Sequence, residues 1–329
     1  MWWEPSTEHE ARLARAVEQL KSWFRERREE ATPIAWGVGS AWEAGSEELA
    51  PFILLNSEYF SVFPAFRLYP LDFIKLFFSH VSFPEVGLPI YAMPVTPPRL
   101  SSRTFEEQMS LLEGLLEAFV PIREPIVSGS KGSTGTAGIL VWDPAAQAHG
   151  LLTAGHVFPD GMGSQVDILR KLGWFYEWRE HLGEVSHHII PTGPAGWDAA
   201  VIRLAKALEP EREGVRVRRF VESFKSPERV VVQGAVSGFV SHAAVQGALT
   251  EIEFAKDGRS WANCWFMTPS GVLKGGDSGS AVFTRQDGRL LGIYVGSSYL
   301  PDADLALSHY VQDALSLEIN VLREWNISF

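Results

Sequence analysis

Three short segments of this 329-residue chain hold residues that could break bonds together. They are Leu152-Thr153-Ala154-Gly155-His156-Val157, Trp197-Asp198-Ala199-Ala200-Val201-Ile202-Arg203-Leu204 and Gly275-Gly276-Asp277-Ser278-Gly279-Ser280-Ala281-Val282. A serine hydroxyl is a weak nucleophile at neutral pH and needs an adjacent base. Histidine titrates near neutrality, so it can take that proton and later pass it to a leaving group. A carboxylate on the second ring nitrogen fixes the tautomer and stabilises the imidazolium. In such a unit Ser278 would attack, His156 would act as base and then acid, and Asp198 would orient it. Each segment alone also has an ordinary use. Gly-Asp-Ser-Gly is a common turn, and an aspartate ahead of an apolar strand usually caps one. A histidine at a strand end is usually a satisfied core or surface residue.

Taken together, the segments resemble the His, Asp and Ser motifs of chymotrypsin-like serine proteases. The order His, Asp, Ser suits that family, as do the separations of 42 residues (156 to 198) and 80 residues (198 to 278). The resemblance runs from about Pro121 to the C-terminus. It is closest to the compact, disulfide-free bacterial-type branch, because Val157 stands where secreted relatives often carry cysteine. It implies a serine endopeptidase that cuts protein or peptide substrates through an acyl-enzyme, with no cofactor. It also implies an oxyanion hole made by the backbone N–H groups of Gly276 and Ser278. Glycine suits a backbone position that turns sharply close to substrate.

The same resemblance implies a substrate pocket walled by Val272-Leu273-Lys274-Gly275 and Tyr294-Val295-Gly296-Ser297. Its candidate lining residues are Val272, Leu273, Tyr294, Val295 and Gly296. Val272, not an acid, holds the position that sets the pocket base in trypsin-like enzymes, so a small or apolar side chain is expected there rather than Arg or Lys. Ile126-Val127-Ser128-Gly129 allows two readings. It could become a new amino terminus that pairs with Asp277, as in zymogens, or it could simply begin the first strand.

Two other function classes compete. A protease fold can serve as a catalytically silent binding scaffold. An α/β-hydrolase needs Gly-x-Ser-x-Gly on a strand-to-helix elbow with its histidine last. Here position 280 is Ser and the segment after Ser278 reads as strand, which speaks against the hydrolase.

The elements that would position these residues divide near residue 120. From 121 to 329, short apolar or alternating segments recur between turn residues: Ala137–Trp142, Gly150–Thr153, Gln165–Leu169, His187–Ile190, Ala199–Leu204, Arg229–Gln233, Thr250–Phe254, Trp261–Met267, Ser280–Thr284 and Leu290–Val295. Many short strands of this kind suggest antiparallel β structure. The expected fold is mostly β: two antiparallel β-barrels with a C-terminal helix marked by Leu315, Ile319, Leu322 and Trp325. Residues 1–120 are expected to form a helical or mixed accessory region. There Thr7 with Glu10, and Thr104 with Glu107, are capping-box patterns. The first precedes a helical stripe of Leu13, Ala16, Val17, Leu20, Trp23 and Phe24. The second precedes Phe105, Met109, Leu112, Leu115, Leu116 and Phe119, and Pro121 ends it. Such a region could recruit a regulatory protein partner or pack on the β core.

Composition narrows the setting. Hydrophobic residues at 46% and charged residues at 21% fit a globular chain with a sizeable core. A net charge of -11 speaks against nucleic acid as a partner, because binding phosphates needs a basic face. No apolar run reaches membrane-span length, and Asp72 and Lys75 interrupt the most apolar stretch, so no membrane partner is expected. The single cysteine, Cys264, cannot form an intramolecular disulfide, and no signal-peptide pattern opens the chain. Both features point to the cytoplasm. The histidines show no metal-binding spacing, and His187 and His188, adjacent on a strand, would face opposite ways, so no metal is expected.

Overall fold

The computed structural model describes residues 7–27, 34–42, 48–56, 69–75, 82–95, 99–100, 103–104, 125–128, 133–172, 176–190, 198–206, 228–240, 244–254, 259–261, 264–268, 273–286, 289–299, 312–318 and 325. The chain opens with α1 (Glu8–Arg27), β1 (Ala35–Trp42), β2 (Leu49–Asn56), β3 (Tyr69–Pro70), the short α2 (Leu71–Lys75), β4 (Tyr91–Val95), β5 (Arg99–Leu100) and β6 (Arg103–Thr104). It continues through β7 (Pro125–Ser128), β8 (Ser133–Thr136), β9 (Ile139–Asp143), β10 (Ala148–Thr153), β11 (Gln165–Leu172), β12 (Tyr176–Ile189) and β13 (Ala199–Leu204). The remainder is β14 (Glu228–Gly234), β15 (Gly238–Val240), β16 (Ala244–Phe254), β17 (Arg259–Trp261), β18 (Cys264–Thr268), β19 (Ala281–Thr284), β20 (Leu290–Tyr299) and β21 (Gln312–Glu318).

The first capping box forms as its sequence requires. The Glu10 N–H donates to Thr7 Oγ1 at 3.1 Å, and the Thr7 N–H donates to Glu10 Oε2 at 3.0 Å. Leu13, Ala16, Val17, Leu20, Trp23 and Phe24 are all buried. The helix lies on β1 and β2. Because successive side chains on a strand point to opposite faces, Ile53 and Leu55 of β2 pack with Leu20 and Phe24 of α1, while Phe52 and Leu54 enter the main core. This half of the N-terminal region therefore packs on the β structure.

The strands form two sheets. The larger, of 13 described strands, runs β15-β14-β19-β20-β21-β18-β16-β1-β2-β4-β3, with β17 on β16 and β5 on β20. β1 pairs with β16, so residues on both sides of position 120 share this sheet. β14 also pairs with β16, which joins β14, β19, β20, β21, β18 and β16 into a ring of pairings. The second sheet, of eight strands, runs β6-β8-β7-β11-β12-β13-β10-β9 and has β6 and β9 as its edges. The mostly β expectation holds. The expected pair of barrels does not follow from these pairings, because the described strands of the second sheet do not close.

The expected C-terminal helix is not shown, and the first of its marker residues is in a strand. Leu315 lies in β21, which hydrogen-bonds β18 on one edge and β20 on the other. Leu315, Ile319, Leu322 and Trp325 recur at helical spacing, yet a segment whose backbone groups are met on both edges gains more from the ladder than from propensity. Ile319 and Leu322 fall outside the described residues, and Trp325 packs against the main core. Thr104, read as a helix cap, is a strand residue in β6, and the helix expected after it lies outside the described residues.

Both sheets contribute to the main core. Leu152, Val157 and Ala199–Ile202 meet Phe52, Leu54, Leu249, Phe283, Ile293 and Val295 there. The segments read as catalytic sit at this junction. His156 and Asp198 come from the eight-stranded sheet, and Ser278 comes from the loop before β19 of the larger one.

Candidate active site

Strand pairing brings the first two residues together. β10 pairs with β13, with Thr153 opposite Ala200, so the turn after β10 lies beside the start of β13. That turn is a single 3-10 turn, Gly155–Val157, and it carries His156. A Cβ on Gly155 would lie 2.3 Å from Ile189 O and 2.9 Å from Ala199 O, so only glycine lets the turn approach β12 and β13 this closely. Asp198 then holds His156 twice. Its Oδ1 accepts from the His156 backbone N–H at 2.7 Å, and its Oδ2 faces His156 Nδ1 at 2.5 Å. Facing a carboxylate, Nδ1 carries the proton, which leaves the Nε2 lone pair for Ser278 Oγ at 2.9 Å. The three side chains form one hydrogen-bonded chain.

All three are covered. Asp198 and Ser278 are fully buried, and the His156 side chain is 2% exposed. Water is therefore kept from a proton-transfer path whose groups would be worth less in high dielectric.

The loop that carries Ser278 is built around two left-handed glycines, Gly276 (φ 95°) and Gly279 (φ 92°). A side chain is strained at either position, and a Cβ on Gly279 would meet Thr153 Oγ1 at 2.0 Å. Among the described residues, no group accepts from the Gly276 or Ser278 N–H, while the neighbouring Asp277, Gly279 and Ser280 N–H groups are all used. Two amide donors on either side of the aspartate, beside a serine hydroxyl, are the equipment for holding a negative oxygen.

Asp277 anchors this loop. Its Oδ1 accepts from the Val236 N–H at 2.9 Å and the Ser237 N–H at 3.1 Å, and its Oδ2 accepts from the Lys274 N–H at 2.8 Å. Burial pushes its carboxyl above the usual carboxylate range, against the downward pull of these donors and of the Ser237 hydroxyl. Ile126, the residue a zymogen-type activation would free, is instead buried within β7, opposite Gly135 of β8 and Ile168 of β11. The carboxylate is thus served by a hairpin turn, and Ile126 is a strand residue.

Asp277→Asn is expected to lower stability by about 1–3 kcal/mol and to slow any reaction at Ser278. Whichever way the amide turns, its NH2 meets a backbone donor in a buried site. The carboxyl also sets a pH trend. A folded value above the unfolded one favours the protonated form in the folded state, so its contribution is largest in acid and is lost as pH rises through the raised value. Asp277→Asn cannot titrate and removes that slope. Thermal unfolding of both proteins across the acid-to-neutral range measures it.

Thr136 escaped the sequence reading, because a threonine in an ordinary strand pattern carries no signal of its own. Its Oγ1 donates to Gly276 O at 2.9 Å and accepts from the Ala235 N–H at 3.1 Å. Its own N–H donates to Ser278 O at 2.8 Å. It ties β8 to both the donor loop and the Asp277 hairpin. Thr136→Val keeps the shape and removes the hydroxyl. The expected result is a loss of about tenfold in the rate of any reaction at Ser278, the equivalent of one hydrogen bond of about 1.4 kcal/mol. The rate at which a fluorophosphonate labels Ser278, compared in the two proteins, checks this. His188 was also missed as a positioning group: its Nε2 donates to Gly155 O at 2.9 Å, under the His156 turn. His187 turns away from it, with Nδ1 3.6 Å from Asp143 Oδ2 and its ring against Trp325.

The pocket candidates fall in different places. Leu273 and Tyr294 are buried in a cluster with Val232, Met267 and Val282, and Val295 belongs to the main core. Gly296 is buried and pairs with Leu100. Val272 lies outside the described residues. Cys264 lies on β18. Among the described residues, no group of three or more His, Cys, Asp or Glu could hold a metal ion, and no helix is long and apolar enough to cross a membrane. Neither a known family model nor any curated protein matches this chain.

Proposed function

We propose that the chain is a serine endopeptidase that hydrolyses peptide bonds of protein substrates through an acyl-enzyme. One observation carries this reading: Asp198, His156 and Ser278 join in a single buried hydrogen-bonded chain at 2.5 and 2.9 Å, beside two amide donors that have no acceptor among the described residues. A scaffold that only binds has no need of that alignment.

The chemistry follows from the positions. Ser278 Oγ adds to the carbonyl carbon of a peptide while His156 Nε2 takes its proton. The carbonyl oxygen becomes an anion and takes the N–H groups of Gly276 and Ser278. Asp198, on Nδ1, steadies the imidazolium. The C–N bond then breaks, and the amine leaves with the proton from Nε2. Water, deprotonated by the same nitrogen, attacks the acyl carbon and restores Ser278. No cofactor enters this cycle. The lone Cys264 suits a reducing compartment, and we place the enzyme inside the cell. The N-terminal region would regulate it or engage a protein partner.

A fluorophosphonate probe tests the reading. It should attach to Ser278 in the intact protein and fail to attach after Ser278→Ala. A folded protein that never accepts the probe at Ser278 under any condition ends the proposal.

A further inference from the structure

Two short strands of the N-terminal region lie on either side of the nucleophile. β21 covers one edge of β20 from Gly292 to Tyr299. The other edge of β20 is taken first by β19, as far as Ile293, and then by the serine loop. There the Gly279 N–H donates to Tyr294 O, and the Tyr294 N–H donates to Ser280 O, both at 2.8 Å. β5 takes the next positions, with Leu100 opposite Gly296 and Arg99 opposite Ser297. Since β21 fills the far edge, β5 lies on the same edge as the serine loop.

β8 repeats the arrangement on the other sheet. β7 covers one of its edges. On the other, the Thr136 N–H reaches Ser278 O at 2.8 Å, and β6 follows, with Arg103 opposite Thr134 and Thr104 opposite Ser133. Leu100 and Arg103 are three residues apart, a reach of at most about 10–11 Å. β5 and β6 therefore lie close together, one on each of the two strand edges that the serine loop meets.

Direction matters as much as place. Along β5 the chain approaches the serine loop from Ser297 towards Gly296. Along β6 it moves away, from Thr134 to Ser133, on the sheet that carries His156. A polypeptide substrate needs this polarity. Its acyl side must reach the Ser278 loop, and its amine side must leave beside the nitrogen that protonates it. An extended peptide binds such edges by backbone pairing. The full burial of Ser278 and the 2% exposure of the His156 side chain fit a filled site.

We propose that β5 and β6 occupy, in cis, the two strand edges on which a polypeptide substrate would lie, so that the chain closes its own cleft until this segment is displaced. The inference rests on the protease reading and adds the regulation of that site. Its consequence is a fractionally open enzyme, whose apparent reactivity is lowered by the fraction of time the segment is seated.

The test compares wild type with the double variant Arg99→Pro/Leu100→Pro. Proline cannot donate to a ladder. Fluorophosphonate labelling of Ser278 is followed over time in both. The expected result is labelling about tenfold faster or more in the variant. A synthetic peptide of residues 96–107, added in trans, should slow the variant again and leave wild type unchanged. Should the variant fail to melt cooperatively, Arg103→Pro/Thr104→Pro makes the same test through β6 alone. Equal labelling rates with Ser278 modified in both proteins overturn the cis occupancy and leave the protease reading standing. No labelling in either protein removes both. A cut between Leu100 and Arg103 in wild type that is absent in Ser278→Ala also supports the proposal, since it shows the segment seated as a substrate.

Discussion

Ser278→Ala should lower kcat on a peptide substrate by about 10⁶-fold, equivalent to about 8 kcal/mol of barrier. The measurement is best made with β5 already displaced, so that the fall reports chemistry and not access to the cleft. The size follows from what the substitution removes. Without Oγ no covalent acyl-enzyme can form, and the Nε2 lone pair aligned at 2.9 Å has no proton to take. The amide donors of Gly276 and Ser278 survive, so a small residual rate from oxyanion binding should remain. Folding should hardly change. The backbone bonds that fix this residue, from the Thr136 N–H to Ser278 O and from the Gly279 N–H to Tyr294 O, do not involve the hydroxyl. A melting temperature close to wild type with lost turnover is the expected pair of results. Turnover that survives the substitution would place the activity elsewhere on the chain.

The residues of this unit were legible because each sits in a short local pattern. A histidine after a strand, an aspartate before one and a serine in a glycine turn can be read without knowing the fold. The strands of the second half were legible for a related reason, since turn residues bracket them. What stayed hidden was set by pairing over long distances. Every residue of β1 is buried, so Ala35–Trp42 shows no alternation to mark it as a strand. β2 and β4 lie parallel, a register that no local signal specifies. At Leu315 the helical spacing misled, because β21 has partners on both edges and the ladder outweighs the periodicity. Thr136 and the β5–β6 pair belong to the same class. Their importance lies in which edge they meet, and edges are a property of the assembled sheets.

Asp198→Asn should lower kcat by about 10⁴-fold with little change in KM. The carboxylate has two jobs, and an amide cannot do both. Its Oδ1 receives the His156 backbone N–H at 2.7 Å, and its Oδ2 receives Nδ1–H at 2.5 Å. If the asparagine oxygen keeps the backbone bond, its NH2 faces Nδ1. The ring must then carry its proton on Nε2, which faces Ser278 with a donor where a base is needed. If the oxygen turns to Nδ1 instead, the NH2 confronts the His156 N–H in a fully buried site, at a cost of about 1–3 kcal/mol in stability. In either case the imidazolium loses its counter-charge. The two orientations separate experimentally. The first predicts near-native melting with a collapsed rate, and the second predicts a lowered melting temperature as well. Wild-type turnover in a folded Asp198→Asn protein would show that this carboxylate only shapes the turn, and that the base at Nε2 is set by something else.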